Sequence, residues 1–204
     1  MLQQKRNKRL PREFYQRDTI QVARDLLGKE LVRILPDGQK LSGIILETEA
    51  YLGLEDPACH SYGANGPRRT ARTEVMFHAG GHAYVYFIYG MHFCFNAVTM
   101  RENEPEAVLI RALFPAAGFF VSDRLRLNGP GKLCRLLQID RSLNGHALDS
   151  TGELFISEGV AVSEQHIETT PRIGIEGSGD AATWPLRFVC SREFTESLQR
   201  PISP

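Results

Sequence analysis

Two runs of β-branched and aromatic residues around a short turn constrain the fold of this chain most strongly. Residues 83–89 and residues 93–98 are rich in side chains that favour extended structure, and Gly90-Met91-His92 separates them. This pattern predicts a β-hairpin. Tyr89 directly precedes the turn, so we expect its ring to project from the hairpin tip into solvent, where a large aromatic side chain is costly unless a partner covers it.

Other apolar runs predict further strands, at residues 31–35, 41–46, 107–113, 154–156 and 186–189. The first two are separated by Pro36-Asp37-Gly38, a turn sequence that makes a second hairpin the simplest connection. Helical spacing predicts a helix over residues 19–27, and a second helix is expected after Gly129-Pro130-Gly131. Residues 52–82 are rich in glycine and proline and predict an ordered surface loop with at most one short helix.

The length and composition of the chain are those of one folded domain. A chain of 204 residues with 42% hydrophobic residues can bury a full core, and no internal repeat or low-complexity linker marks a domain boundary. Residues 1–12 contain five cationic side chains and no acid. We therefore expect a basic, flexible tail there and a single domain over residues 13–204.

The charges and cysteines leave the class of partner open. Lysine plus arginine and aspartate plus glutamate each number 24, so the net charge neither indicates nor excludes a polyanionic partner. The four cysteines form no C-x-x-C pair, so neither a zinc site nor a disulfide framework is expected. The N-terminus lacks the apolar segment of a signal peptide, and the most apolar stretch is too short to cross a membrane. We expect an intracellular protein.

Two glutamates, Glu47 and Glu49, follow an apolar run and have the spacing of side chains on one face of a strand. Burial of one beside the other would raise its pKa and let it accept a proton from water near neutral pH. The alternative is a pair of solvent-facing glutamates at the end of a strand. Arg111 lies in the middle of another apolar run, and if it is buried it needs an ionic partner, for which this pair is the nearest pool of carboxylates.

Further polar residues are open to a structural or a functional interpretation. His60 is either a structural hydrogen-bonding residue or part of a site, and Asn96 is either a satisfied core amide or a group that reads a ligand. A metal site is conceivable, with ligands from Glu47, Glu49, Asp56 and His60. Because no H-x-x-x-H or H-E-x-x-H spacing supports it, we expect no bound metal.

Several motifs of this chain closely resemble the alkyladenine (3-methyladenine) DNA glycosylase family, the monofunctional base-excision enzymes. They occur in the family's order, between about residue 14 and residue 188. They comprise Glu47-Thr48-Glu49-Ala50-Tyr51-Leu52-Gly53, residues 56–61, Met76-Phe77, residues 83–91, residues 93–96, Leu109-Ile110-Arg111-Ala112-Leu113 and residues 129–134. The resemblance implies a mixed α/β or α+β fold, with a single domain, a curved antiparallel sheet, flanking helices and a protruding β-hairpin.

The resemblance also implies the chemistry of a DNA glycosylase. Glu49 corresponds to the general base that activates water against the anomeric carbon, and Arg111 corresponds to the residue that helps to hold that water. The base must first leave the helical stack, because its glycosidic bond cannot be reached inside the duplex. Tyr51 and Tyr86 are then expected to stack on the flipped base, with a hydrogen bond from His60 at its edge.

The same resemblance assigns selectivity and DNA contacts. Asn96 corresponds to the residue that excludes the 2-amino group of guanine, and Tyr89 to the wedge that fills the vacated space, with Met91 beside it. Backbone phosphates are expected to be contacted by Thr70, Arg72 and Lys132. The implied partner is double-stranded DNA with damaged purines, bound by a monomer that acts on chromosomal DNA without a cofactor and without cleaving the strand.

Two other function classes remain open from the sequence. A DNA-binding module that had lost catalysis would keep the wedge and the basic residues, and a measurement of base release separates it from an enzyme. A metal-dependent hydrolase that used the cluster of carboxylates and histidine would contain a metal and respond to chelators.

Overall fold

A computed structural model of the protein describes residues 8–199. Within them the strands are β1 Glu30–Ile34, β2 Lys40–Tyr51, β3 Ala83–Ile88, β4 His92–Val98, β5 Ala107–Pro115, β6 Leu154–Ser157, β7 Ile167–Thr170 and β8 Arg187–Cys190. The helices are α1 Arg12–Tyr15, α2 Thr19–Asp25, α3 Pro130–Leu136 and α4 Arg192–Ser197. This is the mixed α+β domain with an antiparallel sheet that the sequence predicts. None of these helices is long and apolar enough to span a membrane.

Strand β2 is the centre of an eight-stranded sheet with the order β3-β4-β5-β2-β1-β6. One edge of β2 pairs with β5. The other edge pairs first with β1, through residues 40–44, and then with β8, through residues 47–49. Because two different strands take successive stretches of the same edge, the sheet curves along β2, and β7 extends it beyond β8.

The ladder between β2 and β5 is irregular at the position where the polar residues lie. Ile45 pairs with Leu113 and Thr48 pairs with Ile110, while the register shifts on both sides of Glu47. Such β-bulges increase the local twist and change the direction of a side chain. Arg111 lies in this irregular stretch of β5, so its direction differs from that in a regular ladder.

The main apolar core lies between the sheet and the helices, and a smaller cluster lies under the long loop. In the main core, Val22 and Ala23 of α2 and Leu133 and Cys134 of α3 are fully buried. The smaller cluster contains Cys59, Val75, Met76, Tyr84, Val98 and Ala107. It attaches residues 52–82 to β3, β4 and β5, and this attachment gives the loop an ordered position beside the hairpin.

The helices and strands differ from the sequence prediction mainly at their ends. The helix expected at residues 19–27 is α2, which Asp18 caps by accepting a hydrogen bond from the backbone N–H of Gln21. The strand expected at residues 41–46 continues to Tyr51, so the two glutamates lie within β2 and the expectation of a strand end at that point is wrong. The loop contains two short 3-10 helices, Gly53–Glu55 and Glu74–Phe77, where one at most was expected.

The segment predicted to be a flexible tail, residues 1–12, is described by the structure only from residue 8 onward. Residues 1–7 lie outside the described residues. Leu10 is buried and donates its backbone N–H to the carbonyl of Ile156 over 2.9 Å, and Arg9 forms a β-bridge with Ser157. The expectation of a flexible tail is therefore wrong for residues 8–12, because the apolar side chain of Leu10 packs into the core.

Candidate active site

A cavity of about 510 Å³ opens beside the β3–β4 hairpin, between the end of β2 and residues 171–178. The sequence-predicted site residues that line it are Tyr51, His60, Tyr86, Tyr89, Asn96 and Arg111. The volume lies within the range typical of small-molecule pockets. The fold thus brings residues that lie between positions 51 and 111 of the sequence to one concave surface.

Glu49 lies directly behind the wall of this cavity and is fully buried. Its Oε2 accepts hydrogen bonds from the Tyr51 hydroxyl at 3.0 Å and from Arg111 Nη1 at 3.2 Å. Its Oε1 accepts one from the backbone N–H of Ile173 at 2.8 Å. All three donor residues line the cavity, so the carboxylate is one residue layer from the ligand space.

The environment of Glu49 makes its carboxylate more basic than an exposed one, although three neighbouring groups stabilise its charge. Burial raises the pKa of its carboxyl group, and Glu47 adds to this effect, whereas Arg111, the Ile173 N–H and the Tyr51 hydroxyl oppose it. Burial and the neighbouring Glu49 raise the pKa of Tyr51, so the hydroxyl stays protonated and donates to the carboxylate. The result is an oriented carboxylate that accepts a proton more readily than an exposed one.

Arg111 is held between two carboxylates, as its place in an apolar strand predicts. Its Nε donates to Glu47 Oε1 at 3.0 Å while its Nη1 donates to Glu49. Its backbone carbonyl accepts from the N–H of Gly129 at 2.9 Å, just before α3. The glutamates are thus not a solvent-facing pair, because both are buried and share this arginine.

One wall of the cavity is formed by packed aromatic rings. His60 Nδ1 is 3.0 Å from the hydroxyl of Tyr84, and the His60 ring lies edge-on to Tyr86 at 4.6 Å between centroids. Burial, together with the charges of Arg72 and Arg68, lowers the pKa of His60 to about 4. The imidazole is therefore neutral at physiological pH and acts as a hydrogen-bonding group without a charge.

A buried ion pair that the sequence did not indicate lies beside Tyr51, which lines the cavity. The guanidinium of Arg172 lies 4.7 Å from the centroid of the Tyr51 ring and pairs with Asp56, with Nη2 2.8 Å from Oδ1. It also donates to the backbone carbonyl of Ala50 at 2.9 Å. Both side chains of the ion pair are fully buried. They tie residues 171–178 to the end of β2, which places Ile173 over Glu49.

Asn96 is both a structural amide and a cavity residue. Its Nδ2 donates to the carbonyl of Tyr84 at 3.0 Å across the β3–β4 ladder. The side chain is nearly fully buried and still borders the cavity. This hydrogen bond holds the plane of the amide in one orientation. A fixed orientation is what a side chain needs in order to discriminate between ligands by shape.

The tip of the hairpin presents two apolar side chains to solvent. Tyr89 is 81% exposed and Met91 is 68% exposed. Tyr89 and Gly90 have φ values of 51° and 67°, and the N–H of Met91 donates to the carbonyl of Ile88 at 3.2 Å, which defines a turn of type I′. The sequence prediction of a projecting Tyr89 ring is confirmed.

The three residues that are predicted to contact phosphates, Thr70, Arg72 and Lys132, are all exposed. Arg72 lies above the ring of Tyr86, 5.3 Å from its centroid, and Tyr86 lines the cavity. Thr70 is exposed in the long loop, and Lys132 is exposed on α3. Their contact with phosphates stays a prediction.

Each of the conceivable metal ligands has a partner within the protein. Glu47 and Glu49 bind Arg111, Asp56 binds Arg172, and His60 contacts Tyr84. Among residues 8–199 no group of three or more His, Cys, Asp or Glu side chains has an arrangement that could hold a metal ion.

The model of the methylpurine-DNA glycosylase (MPG) family matches residues 13–193. The chain belongs to this family. Curated relatives named "Putative 3-methyladenine DNA glycosylase" include one from Desulfitobacterium hafniense, 47% identical over 89% of this chain and 94% of that protein. Others come from Bdellovibrio bacteriovorus, 49% identical over 88% and 93%, and Methanocella arvoryzae, 48% identical over 88% and 90%. The resemblance to DNA glycosylases is thereby confirmed.

Membership of the methylpurine-DNA glycosylase family makes the protein a DNA glycosylase, a hydrolase of N-glycosyl bonds in DNA repair. Sequence reasoning missed two residues that line the cavity of this glycosylase, Tyr84 and Ile173. It also missed Arg172 and Arg187, which pair with Asp56 and Glu47. Arg187 shares the signal that identified Arg111, which is a cation inside a short apolar strand. Ile173 acts through its backbone N–H, for which no side-chain pattern exists.

Proposed function

We propose that this glycosylase flips alkylated or deaminated purines out of duplex DNA and hydrolyses their N-glycosidic bond with a water that Glu49 activates. The observation that carries the proposal is the buried Glu49–Arg111 pair, which lies directly behind an aromatic-lined cavity. A pocket behind a projecting hairpin suits a base that has left the duplex, because the reacting bond is inaccessible inside the stack.

The hydrogen bonds of Glu49 leave room for the proposed water on one carboxylate oxygen. Oε2 already accepts from Tyr51 and Arg111, and Oε1 accepts from Ile173. Since each carboxylate oxygen has two lone-pair sites, Oε1 retains one for the water. Glu49 accepts the proton as the water attacks the anomeric carbon, and its charge stabilises the oxocarbenium character that develops as the base leaves.

The aromatic residues of the cavity suit a flat and electron-poor base. In the proposal Tyr51 and Tyr86 stack on the flipped base and His60, which is neutral, contributes a hydrogen bond at its edge. Aromatic faces attract a cationic alkylated purine more strongly than a neutral one, and such a purine is also a better leaving group. Asn96 excludes the 2-amino group of guanine by its bulk and fixed orientation.

The exposed residues around the cavity suit contacts with duplex DNA. Tyr89 inserts into the space that the flipped base vacates, with Met91 beside it, and an insertion of this kind offsets the lost stacking. Phosphates are contacted by Thr70, Arg72 and Lys132. We further propose that the enzyme acts as a monomer on chromosomal DNA and needs no cofactor.

The proposed product is an intact abasic site. A lyase reaction requires an amine nucleophile that forms a Schiff base, and no lysine among the described residues lines the cavity. An activated water leaves the sugar without a covalent link to the protein, so strand cleavage should require added base.

The test is single-turnover excision from matched duplexes, each of which contains one of 3-methyladenine, 7-methylguanine, hypoxanthine or ethenoadenine. Glu49→Gln should lower the rate by roughly 10²–10⁴-fold, the contribution of a general base, and should leave affinity for the damaged duplex largely intact. The matched control is Glu168→Gln, which changes an exposed glutamate of β7 and should keep the parent rate.

Two results would contradict the proposal. If Glu49→Gln released base at nearly the parent rate, the assignment of Glu49 as general base would be wrong. If borohydride trapped a covalent adduct between the parent enzyme and DNA, the hydrolytic mechanism would be wrong.

A further inference from the structure

Four charged side chains, Arg187, Glu47, Arg111 and Glu49, form a row that begins on β8 and ends at Glu49. Arg187 Nε donates to Glu47 Oε1 at 2.6 Å. Arg111 Nε donates to the same oxygen at 3.0 Å, and its Nη1 reaches Glu49 at 3.2 Å. The charges alternate from β8 through β2 to β5 and back to β2, so each carboxylate has a cation beside it.

Arg187 is fixed in this row by its own strand. It pairs with Glu49 in the ladder between β2 and β8, and its Nη1 donates to Thr170 Oγ1 at 3.0 Å on β7. Its side chain is 21% exposed, whereas those of Glu47 and Arg111 are 11% and 13% exposed. Arg187 does not line the cavity. Its ion-pair partner is Glu47, so an effect of Arg187 on catalysis is electrostatic or positional.

We propose that Arg187 and Glu47 are positioning residues that set how much of the charge of Arg111 is available to Glu49 and to the attacking water. This inference rests on the proposed role of Glu49. Arg187 neutralises Glu47, and Glu47 in turn holds the guanidinium of Arg111 by its Nε edge. The Nη1 edge of Arg111 is thus directed to Glu49 by a partner whose charge is already compensated.

The row lies in a poorly solvated region, where charges are screened less than in water. Without Arg187, Glu47 is compensated by Arg111 alone, and the field at Glu49 becomes more negative. Without Glu47, two cations face Glu49, and the field becomes more positive. When both Arg187 and Glu47 lose their charges, the row has the same net charge as in the parent.

Other groups that face Glu49 stay constant in this comparison. Tyr51 lies on its own strand, Cys94 faces it from β4, and Arg172 faces it from residues 171–178 with Asp56 as its partner. Since none of them is altered, a change in the titration of Glu49 reports on the row alone.

The experiment compares the pH dependence of single-turnover excision in Arg187→Met, Glu47→Gln and the double variant. Because Glu49 must be deprotonated to act as a base, activity falls on the acid side of the profile. Arg187→Met should move this acid limb to higher pH, so that the rate at the parent's midpoint drops several-fold, while Glu47→Gln should move the limb to lower pH. The acid limb of the double variant should lie close to that of the parent. The limb of Arg187→Lys, which keeps a cation, should lie between those of the parent and Arg187→Met.

A purely structural role of Arg187 predicts a different result. Both single variants would then lose activity equally at every pH, and the double variant would be worse than either. That outcome would overturn the inference. Acid limbs at the same pH in the parent and in both single variants would also overturn it. The matched control is Arg192→Met, since Arg192 is exposed on α4 and pairs with Glu196, and its profile should match the parent.

A second measurement needs no turnover. The titration of Glu49 in the free protein, followed by carbon-13 NMR of labelled glutamate side chains, should shift in the same opposite directions in the two single variants. If the parent enzyme released no base from any duplex, the proposed function would fail, while the titration would still decide whether the row controls Glu49. Identical titration curves in all variants would overturn the inference even in an active enzyme.

Discussion

At the scale of single residues, the site is built from polar groups inside apolar strands. A buried carboxylate such as Glu49 costs several kcal/mol unless it is paired and hydrogen-bonded, and here three donors meet that requirement. Asn96 and Arg111 are likewise polar residues in apolar runs, and both border the cavity. Residues of this kind are poor choices for a core, and their partners explain why they are tolerated.

Asn96→Ala should relax selectivity more than it damages catalysis. Removal of the amide makes room for a 2-amino group, and a pocket cannot strongly reject a group that it has space for. Excision of 7-methylguanine relative to hypoxanthine should rise, as measured by the ratio of single-turnover rates on matched duplexes. Loss of the hydrogen bond to Tyr84 should cost about 1 kcal/mol of unfolding free energy.

The matched control is Asn144→Ala. Asn144 accepts a hydrogen bond from the backbone N–H of Val85, on the next residue of β3, and it does not line the cavity. This variant should lose similar stability without a change in the rate ratio. A ratio in Asn96→Ala equal to that of the parent would show that Asn96 is only a core amide.

At the scale of elements, the hairpin tip combines strain with exposure. Tyr89 has a positive φ that most L-residues avoid at a cost of roughly 1–2 kcal/mol, and its ring is almost completely in solvent. A type I′ turn normally has Asn, Asp or Gly at this position. A strained and exposed tyrosine points to a role other than the stability of the fold.

Tyr89→Asn should therefore separate stability from binding. Because asparagine tolerates the left-handed region, the unfolding free energy should stay level or rise, as measured by denaturant titration. Affinity for lesion-containing duplex should fall by roughly 1–3 kcal/mol, the value of one stacked base. Tyr89→Phe keeps the ring and should keep the affinity. Equal affinities of the parent and Tyr89→Asn would show that the ring is no wedge.

At the scale of the whole molecule, burial of the cavity walls couples the fold to pH. The long loop and residues 171–178 close two sides of the cavity, and their polar groups lose solvent as the domain folds. His60 is the clearest case, since burial holds its pKa at about 4, whereas an unfolded histidine has a pKa near 6.5.

Stability should consequently fall as the pH falls from about 6.5 to about 4. In that window the unfolded chain binds a proton at His60 and the folded protein does not, so protonation favours unfolding by up to roughly 3 kcal/mol. The measurement is the unfolding free energy against pH for the parent and for His60→Gln. The variant should show a shallower slope in this window, and its difference from the parent above pH 7 gives the cost of the lost contacts alone. Equal slopes would contradict a neutral His60 in the folded protein.

Local patterns predicted the elements that depend on near neighbours. The β3–β4 hairpin, the β1–β2 hairpin and helix α2 follow from alternation, turn chemistry and a cap, which are short-range effects. Strand β7 was not predicted, because Ile167–Thr170 is short and two of its four residues are exposed. Helices α1 and α4 were missed because they are only four and six residues long.

The sequence by itself determined the family, the class of fold and the chemical types in the site, because motifs and residue types are readable without coordinates. Tertiary structure alone decided which groups meet. Arg111 reaches Glu49 across 62 residues, the Ile173 N–H reaches it across 124, and Arg187 reaches Glu47 across 140. These contacts depend on strand register, on the bulges between β2 and β5 and on which edge of β2 each strand takes. The packing of the whole sheet sets those features, and no local pattern encodes them.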